Sequence, residues 1–439
     1  MEFIAFLENL SIKILWIPTA FILLASIIIT IKTRFIQIRA LPLMCKIFFA
    51  NFFQKSKNSK EQTIQSNKAL FTAMATTIGI SSITAPAVAI RLGGPGTLLG
   101  FLIATILGGA VTFTEVTLAL AYRKKLEDGT VMGGPMQYLK AVSHLFASWY
   151  AYAGFILLIV WSARQANTVA SLLTTYQIPA IVTGSIVLFF VIITLIGGIK
   201  RIGKVAEKIV PIKFILYCTG AVWIILCNLN KLIPTLKLVW HSACGSELTM
   251  GAGIGGGLIM LVRWGILQGF QNNEAGMGTA AIPHSMADTK SPFEQGVLSI
   301  ASIYAYGFVC MLSGLVVLIT GTWSDLNVGL GIKMVNSSFA MYFSVVGPLI
   351  LSISAAIFAY TTILGNCYNG SQCFSYITNN KYLKLYLVAT TILILIGTVA
   401  DVKLLWVLTD FFVIPVALPN VIGILILMFK RKDLFDKAR

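Results

Sequence analysis

The sequence predicts an all-α polytopic membrane protein of eleven transmembrane helices, two of them broken at membrane depth. Three observations carry this. The 439-residue chain is 57% hydrophobic and only 11% charged, with a mean hydropathy of +0.85, all beyond globular values. Apolar runs of about 20 residues, long enough to cross a hydrocarbon core, recur along it. Two of them, residues 75–86 (ATTIGISSITAP) and 263–283 (RWGILQGFQNNEAGMGTAAIP), are interrupted by clustered polar residues and glycines.

In chain order the apolar runs place spans near 10–31, 67–92, 96–121, 146–176, 179–197, 207–229, 254–283, 293–321, 340–366, 382–400 and 402–429. The first run ends in no small-residue cleavage site, so it reads as a retained span rather than a signal peptide. Lys and Arg near span ends favour the cytoplasmic side. Lys32, Arg34, Arg39, Lys46, Lys55, Lys57 and Lys60 crowd the first long connection. Arg123 to Lys125, then Lys200, Arg201, Lys204 and Lys208, and finally Lys430 to Lys432, recur only at alternate connections. The N-terminus is therefore expected outside and the C-terminus in the cytoplasm of a bacterial cell, with the chain integral to its inner (plasma) membrane. Residues 230–252, 322–339 and 401–403 would face out. The formal charge of +17 follows from this bias plus contact with anionic membrane lipids. Its scatter over short loops argues against a nucleic-acid partner.

Cys45, Cys218, Cys227, Cys244, Cys310, Cys367 and Cys373 show no metal-ligand spacing and imply no disulfide framework. His144, His241 and His284 lie far apart, without a nucleophile motif beside them. No enzyme machinery is visible.

The two interrupted runs carry the candidate site. Polar and helix-breaking groups survive at membrane depth only where protein or a wet cavity satisfies them. Two such helices in corresponding positions of two halves are the sequence pointer to the midplane site of a secondary transporter. Glycines alone, as in GAGIGGG at 251–257 and LGGPG at 92–96, are read first as close helix packing. Around 76–84 and 271–278 hydroxyls and amides accompany the glycines, which packing does not require. Unwinding there frees N–H groups for a carboxylate and C=O groups for a cation, an arrangement that suits an amino-acid zwitterion.

Each charge at a helix centre costs at least about 2.5–3.5 kcal/mol on insertion scales, so each needs a reason. Glu115 is expected to pair with Arg123 near the cytoplasmic face. Arg164, mid-span beside Gln165 and Asn167, needs a partner or water, and Glu274 is the most interesting partner. Gln165 and Asn167 either bind substrate or hold helices together. Thr361 and Thr362 can bond their own i−4 carbonyls, the common role of membrane threonines, or offer hydroxyls to a hard monovalent cation. Thr362 and Asn366, four residues apart, share a helix face and look into one cavity.

At these residues the chain resembles the alanine or glycine:cation symporter family, the sodium:alanine symporters. The resemblance runs through LGGPG at 92–96, Glu115 to Arg123, GGPMQYL at 133–139, QAN at 165–167, GGIKRIGKVAEKIVP at 197–211, RWG at 263–265, NEAGMG at 273–278, EQG at 294–296 and TTILG at 361–365. It implies a leucine-transporter-type fold, a five-plus-five inverted repeat preceded by one extra helix. The implied organisation is an extra helix in 1–34, a basic cytoplasmic connection over 35–66, repeats over 67–229 and 254–430 around an extracytoplasmic loop at 230–253, and a cytoplasmic tail at 431–439. It also implies a cation-coupled symporter that imports a small, alanine- or glycine-like amino acid by alternating access, with sodium as coupling ion and no cofactor. The substrate residues carried over are Thr77, Ser81, Ser82, Gln165, Asn272, Asn273, Gly276, Thr362 and Asn366. By likeness to the wider fold, sodium would be held by backbone oxygens of Ala75, Ile78 and Phe358 and by the hydroxyls of Thr361 and Thr362.

Departures fall at the site itself. The family usually reads GN where this chain has Ser81 and Ser82. A family tryptophan is replaced by Asn366, an aromatic ahead of the NEAG motif gives way to Gln271 and Asn272, and Arg164 enters beside QAN. A pocket more polar than an alanine site, and a more polar or larger amino acid, are implied. Proton coupling in place of sodium and a non-transporting receptor or scaffold are the alternatives. A channel is disfavoured, since no ring-forming selectivity loop is apparent.

Overall fold

The computed structural model describes residues 10, 16–53, 63–125, 131–244, 256–289 and 291–436. The glycines at 251–255 and the basic residues Lys55, Lys57 and Lys60 lie outside the described residues. The helices are α1 (Trp16–Lys32), α2 (Ile36–Arg39), α3 (Leu41–Phe53), α4 (Ser66–Thr77), α5 (Ser81–Gly93), α6 (Thr97–Ala121), α7 (Pro135–Lys140), α8 (His144–Leu173), α9 (Ala180–Leu195), α10 (Gly198–Leu226) and α11 (Leu229–Ala243). They continue with α12 (Gly256–Met260), α13 (Leu267–Asn273), α14 (Ala281–Ser285), α15 (Pro292–Thr320), α16 (Ile332–Phe343), α17 (Val346–Thr378), α18 (Leu383–Val399) and α19 (Val402–Lys430). A wide π turn, Leu261–Ile266, joins α12 to α13.

Seven of the described stretches are long and apolar enough to cross a membrane, with α4 and α5 taken together as one of them. Shorter apolar helices include Ile17–Lys32, Ala180–Leu195 and Leu383–Val399. The two polar interruptions read from the sequence are breaks: residues 78–80 separate α4 from α5, and 274–280 separate α13 from α14. Some boundaries differ from the sequence expectation. Helices α2 and α3 lie within the 35–66 connection, α11 within the 230–253 loop, and α17 runs on to Thr378. The basic segment 198–211 is helical too. Pro211 sits inside α10 without ending it, because a proline in a packed membrane helix loses one backbone bond that neighbours can compensate.

Helix ends follow local chemistry. Pro135 and Pro292 stand in the first turns of α7 and α15, where a missing N–H costs nothing. The side chains of Ser143 and Ser291 accept from Leu145 N and Glu294 N at 3.1 and 3.2 Å, capping α8 and α15. The burial pattern suits lipid rather than water as solvent. Large apolar side chains such as Phe189, Phe190, Val388, Ile392 and Ile396 are exposed on α9 and α18, whereas Glu115, Asn273, Lys213 and Asn420 are buried. Helix α8 lies against α17, α18 and α19, and α6 lies against α15. Both breaks face this interior.

Candidate functional site

The first break leaves backbone groups that side chains of α5, α8 and α17 satisfy. The Ile80 N–H donates to Gln165 Oε1 at 3.2 Å, and Ser82 Oγ donates to the Gly79 carbonyl at 2.6 Å. Thr362 Oγ1 donates to the Ala75 carbonyl at 2.9 Å, tying α17 to the last turn of α4. Such bonds matter because each unsatisfied backbone group in a membrane interior costs several kcal/mol. Gly79 has no space for a side chain: a Cβ there would meet Thr362 Oγ1 at 2.9 Å and Gln165 Nε2 at 3.1 Å. Gly79→Ala is therefore expected to displace Gln165 and cut transport by at least about tenfold, equivalent to losing one good hydrogen bond. Counterflow in proteoliposomes checks this, and an unimpaired Gly79→Ala protein would remove Gln165 from the site.

The second break is held more heavily. Glu274 adopts φ 63°, ending α13, and Gly276 and Gly278 take φ 87° and 73°, where glycine avoids the Cβ penalty. Glu115 Oε1 accepts from Gly278 N at 3.0 Å and from Asn420 Nδ2 at 2.7 Å. Asn420 Nδ2 also donates to the Gly276 carbonyl at 2.8 Å, and its Oδ1 accepts from Tyr138 Oη at 2.5 Å. Tyr150 Oη donates to the Met277 carbonyl at 2.7 Å, and Asn369 Nδ2 to the Thr279 carbonyl at 3.2 Å.

Two expected charge pairs are absent. Glu115 does not meet Arg123, which instead donates to the carbonyls of Ser285, Ala287 and Thr289 at 3.1, 2.6 and 2.8 Å, backbone groups at and just beyond the end of α14. Glu274 is not Arg164's partner. Its Oε2 accepts from Thr279 Oγ1, while Arg164 Nη2 donates to Asn272 Oδ1 at 3.4 Å and the guanidinium lies 4.5 Å from the Trp406 ring centroid.

Between the breaks lies a polar cavity lined by Thr76, Ser81, Trp161, Arg164, Gln165, Gln271, Asn272, Glu274, Thr362 and Asn366. Of the substrate residues expected from sequence, Ser81, Gln165, Asn272, Thr362 and Asn366 come together here, and Thr362 and Asn366 share the cavity as their spacing implies. The other four lie off it. Thr77 Oγ1 donates to the Ala73 carbonyl at 3.1 Å, and Ser82 closes on Gly79. Asn273 donates to the Ala104 carbonyl at 3.2 Å and accepts from Ala275 N at 2.9 Å, and Gly276 is held by Asn420. Asn167 spends its amide on the carbonyls of Gly397, Thr398 and Ala400 at 3.0, 3.2 and 2.9 Å, the helix-joining role.

The cavity has buried polar atoms without partners: Arg164 Nη1, Gln271 Oε1, and both Nδ2 and Oδ1 of Asn366. Buried polar groups are ordinarily satisfied, so these atoms remain available to a polar ligand or water. Gln271 Nε2 donates to Asp410 Oδ1 at 3.0 Å, and that carboxylate acts electrostatically on Arg164. The wall thus presents donors and acceptors of both charge signs, suited to a zwitterion with a polar side chain.

The expected cation ligands also cluster, around an occupant the sequence reading passed over. Lys213 Nζ donates to the Ile78 carbonyl at 2.7 Å and to Thr361 Oγ1 at 2.6 Å, with the Ala75 carbonyl at 3.5 Å. Phe358 lies beneath it, its ring centroid 4.9 Å from Nζ. Thr361 Oγ1 reaches the Ile357 and Phe358 carbonyls at 3.0 Å, the back-bonding expected of membrane threonines. The only signal for Lys213 was a lone lysine two residues past Pro211, heading an apolar run. Trp161, Asn420 and Asp410 were likewise missed, whereas Thr76 belongs to the polar cluster read from 76–84.

Residues 1–437 match the model of the sodium:alanine symporter family. The sodium/alanine symporter AgcS of Methanococcus maripaludis is 31% identical, over 97% of this chain and 95% of its own length. The probable sodium/glutamine symporter GlnT of Bacillus subtilis is 31% identical, over 94% of this chain and 86% of its own. Among solved structures, MhsT in complex with L-phenylalanine has the same fold, with a TM-score of 0.57 at 14% identity, covering 84% of this chain and 99% of that one.

Proposed function

The chain belongs to the sodium:alanine symporter family, whose members are transporters and not enzymes, and from that premise we propose that it imports a small amino acid with a polar side chain by alternating access. The observation that carries this reading is the cavity between the two helix breaks, with Arg164 Nη1, Gln271 Oε1 and the Asn366 amide left without partners inside it. An alanine methyl would leave these groups unsatisfied at about 1–3 kcal/mol each, whereas a side-chain amide or carboxylate engages them. That a relative of equal identity is named a glutamine symporter supports the same substrate class.

In this reading the carboxylate and amine of the substrate meet the unwound 78–80 backbone, Gln165 and Asn272, and its side chain reaches Arg164 and Asn366. Occupancy joins the α4–α5 break to the α13–α14 break, and the two then rock together to open inward. Differential affinity between the outward and inward states lets occupancy shift their populations, while the solute gradients set the direction of net transport. The alternate basic connections support an N-terminus outside and a C-terminus in the cytoplasm. The breaks support a pair of inverted repeats over 67–229 and 254–430 preceded by α1. The family name and the paired Thr361 and Thr362 hydroxyls support sodium as the coupling ion; Lys213 stands against it at that position.

Counterflow of labelled L- and D-amino acids in proteoliposomes tests the reading. Glutamine, asparagine, serine or an acidic amino acid is expected to exchange faster than alanine. Exchange of alanine alone would overturn the polar-substrate assignment, and exchange of none of them would overturn the transporter assignment.

A further inference from the structure

We propose that the amine of Lys213 is a tethered cation that occupies the coupling-ion position, so that this chain moves its substrate without sodium there. The proposal rests on the reading of the chain as an amino-acid carrier and changes what drives it.

Lys213 is fully buried on α10, and among the described residues no carboxylate pairs with it. Its nitrogen is held by oxygens alone: the Ile78 carbonyl at 2.7 Å, Thr361 Oγ1 at 2.6 Å and the Ala75 carbonyl at 3.5 Å. A lysine head group has three donors and no acceptor, and it meets three acceptors here. These are the neutral carbonyl and hydroxyl oxygens that a hard monovalent cation requires. The face of Phe358 completes the surroundings at 4.9 Å, a cation–π contact.

Of the five expected ligand oxygens, those of Ala75, Ile78 and Thr361 contact Lys213 Nζ, and a fourth residue, Phe358, meets it with its ring rather than its carbonyl. The fifth, Thr362, has turned its hydroxyl hydrogen to the Ala75 carbonyl and so needs no ion to settle that group. A sodium ion in this space would have to displace the nitrogen from the same oxygens. A bound ion would join the unwound end of α4 to α17. Lys213 makes that same join through Ile78 and Thr361, and because it is covalently part of α10 it neither enters nor leaves with the substrate. The first break is therefore ordered permanently rather than by an ion gradient.

The test is initial-rate uptake by the full-length protein in proteoliposomes, in sodium chloride against choline chloride at equal ionic strength, using the amino acid with the fastest counterflow. The wild-type rates are expected to agree within about a factor of two, less than half the effect of a single hydrogen bond on a logarithmic scale. Stimulation by sodium of about tenfold or more would overturn the proposal. Lys213→Met, similar in length but without the amine, is expected to lose at least about tenfold in choline and to regain rate in sodium. A Lys213→Met protein as active in choline as wild type would also overturn it. Should the variant not fold, the wild-type comparison decides alone. Should wild type move no amino acid in either salt, the carrier reading fails separately. Melting of the purified protein then decides the inference: equal melting in both salts supports it, and stabilisation specific to sodium overturns it.

Discussion

Glu115→Leu is expected to abolish transport and to lower the melting temperature of the purified protein more than any other single change at the site. The Glu115 carboxyl is fully buried, and one of its oxygens receives both the Gly278 N–H and the Asn420 amide. Asn420 in turn holds the Gly276 carbonyl and the Tyr138 hydroxyl. Removing the carboxyl strands a backbone donor and one N–H of an amide at a fully buried place. Each orphaned buried group costs about 1–3 kcal/mol, so the loss for the pair is a large part of an ordinary stability margin. Glu115→Gln keeps an acceptor oxygen at the same place and is expected to retain much of the stability. Thermal melting and counterflow of both variants check this. A Glu115→Leu protein that melts and transports like wild type would show that the second break does not depend on this network.

Arg164→Leu has the second-largest expected effect, on selectivity rather than on folding. Arg164 is 8% exposed and lines the cavity, with one guanidinium nitrogen on Asn272, its Cζ over the Trp406 ring and Nη1 without a partner. A charge at this depth costs at least about 2.5–3.5 kcal/mol, so a leucine in its place is not expected to destabilise the helix. The polar substrate would lose one charge-assisted hydrogen bond of about 1.5–3 kcal/mol, a weakening of tenfold or more. Alanine, which cannot reach Nη1, is expected to bind the variant no worse than wild type. The ratio of the two affinities is the measurement. An unchanged ratio would remove Arg164 from the selectivity of the site.

Both helix breaks were legible in the sequence, because hydroxyls, amides and glycines clustered inside apolar runs have few uses other than irregular backbone around a cavity. Gln165, Thr362 and Asn366 were legible for the same reason, each standing beside another polar group. Lys213 and Asn420 were not. Each stands among apolar neighbours in its own stretch of helix, and its role depends on a residue more than a hundred positions away, which periodicity does not encode. The misplaced charge pairs share one cause. Sequence proximity favoured Glu115 with Arg123, and opposite charge favoured Arg164 with Glu274. Unpaired backbone groups at the ends of broken and short helices claimed Glu115 and Arg123 instead, while Thr279 claimed Glu274. In a membrane interior an orphaned N–H or C=O costs as much as a lost ion pair gains, so the backbone is served first. The off-cavity positions of Ser82 and Asn273 follow the same rule, since they close the Gly79 carbonyl and the Ala275 N–H at the two breaks, while Thr77 back-bonds within α4.

The site assignment is tested most directly by a structure of the purified protein with the amino acid that gives the fastest counterflow. The ligand is expected between the two breaks, its α-carboxylate and amine against residues 78–80, Gln165 and Asn272, and its side chain against Arg164 Nη1 and Asn366. A ligand bound elsewhere, or in this cavity with Arg164 and Asn366 still unengaged, would contradict the assignment.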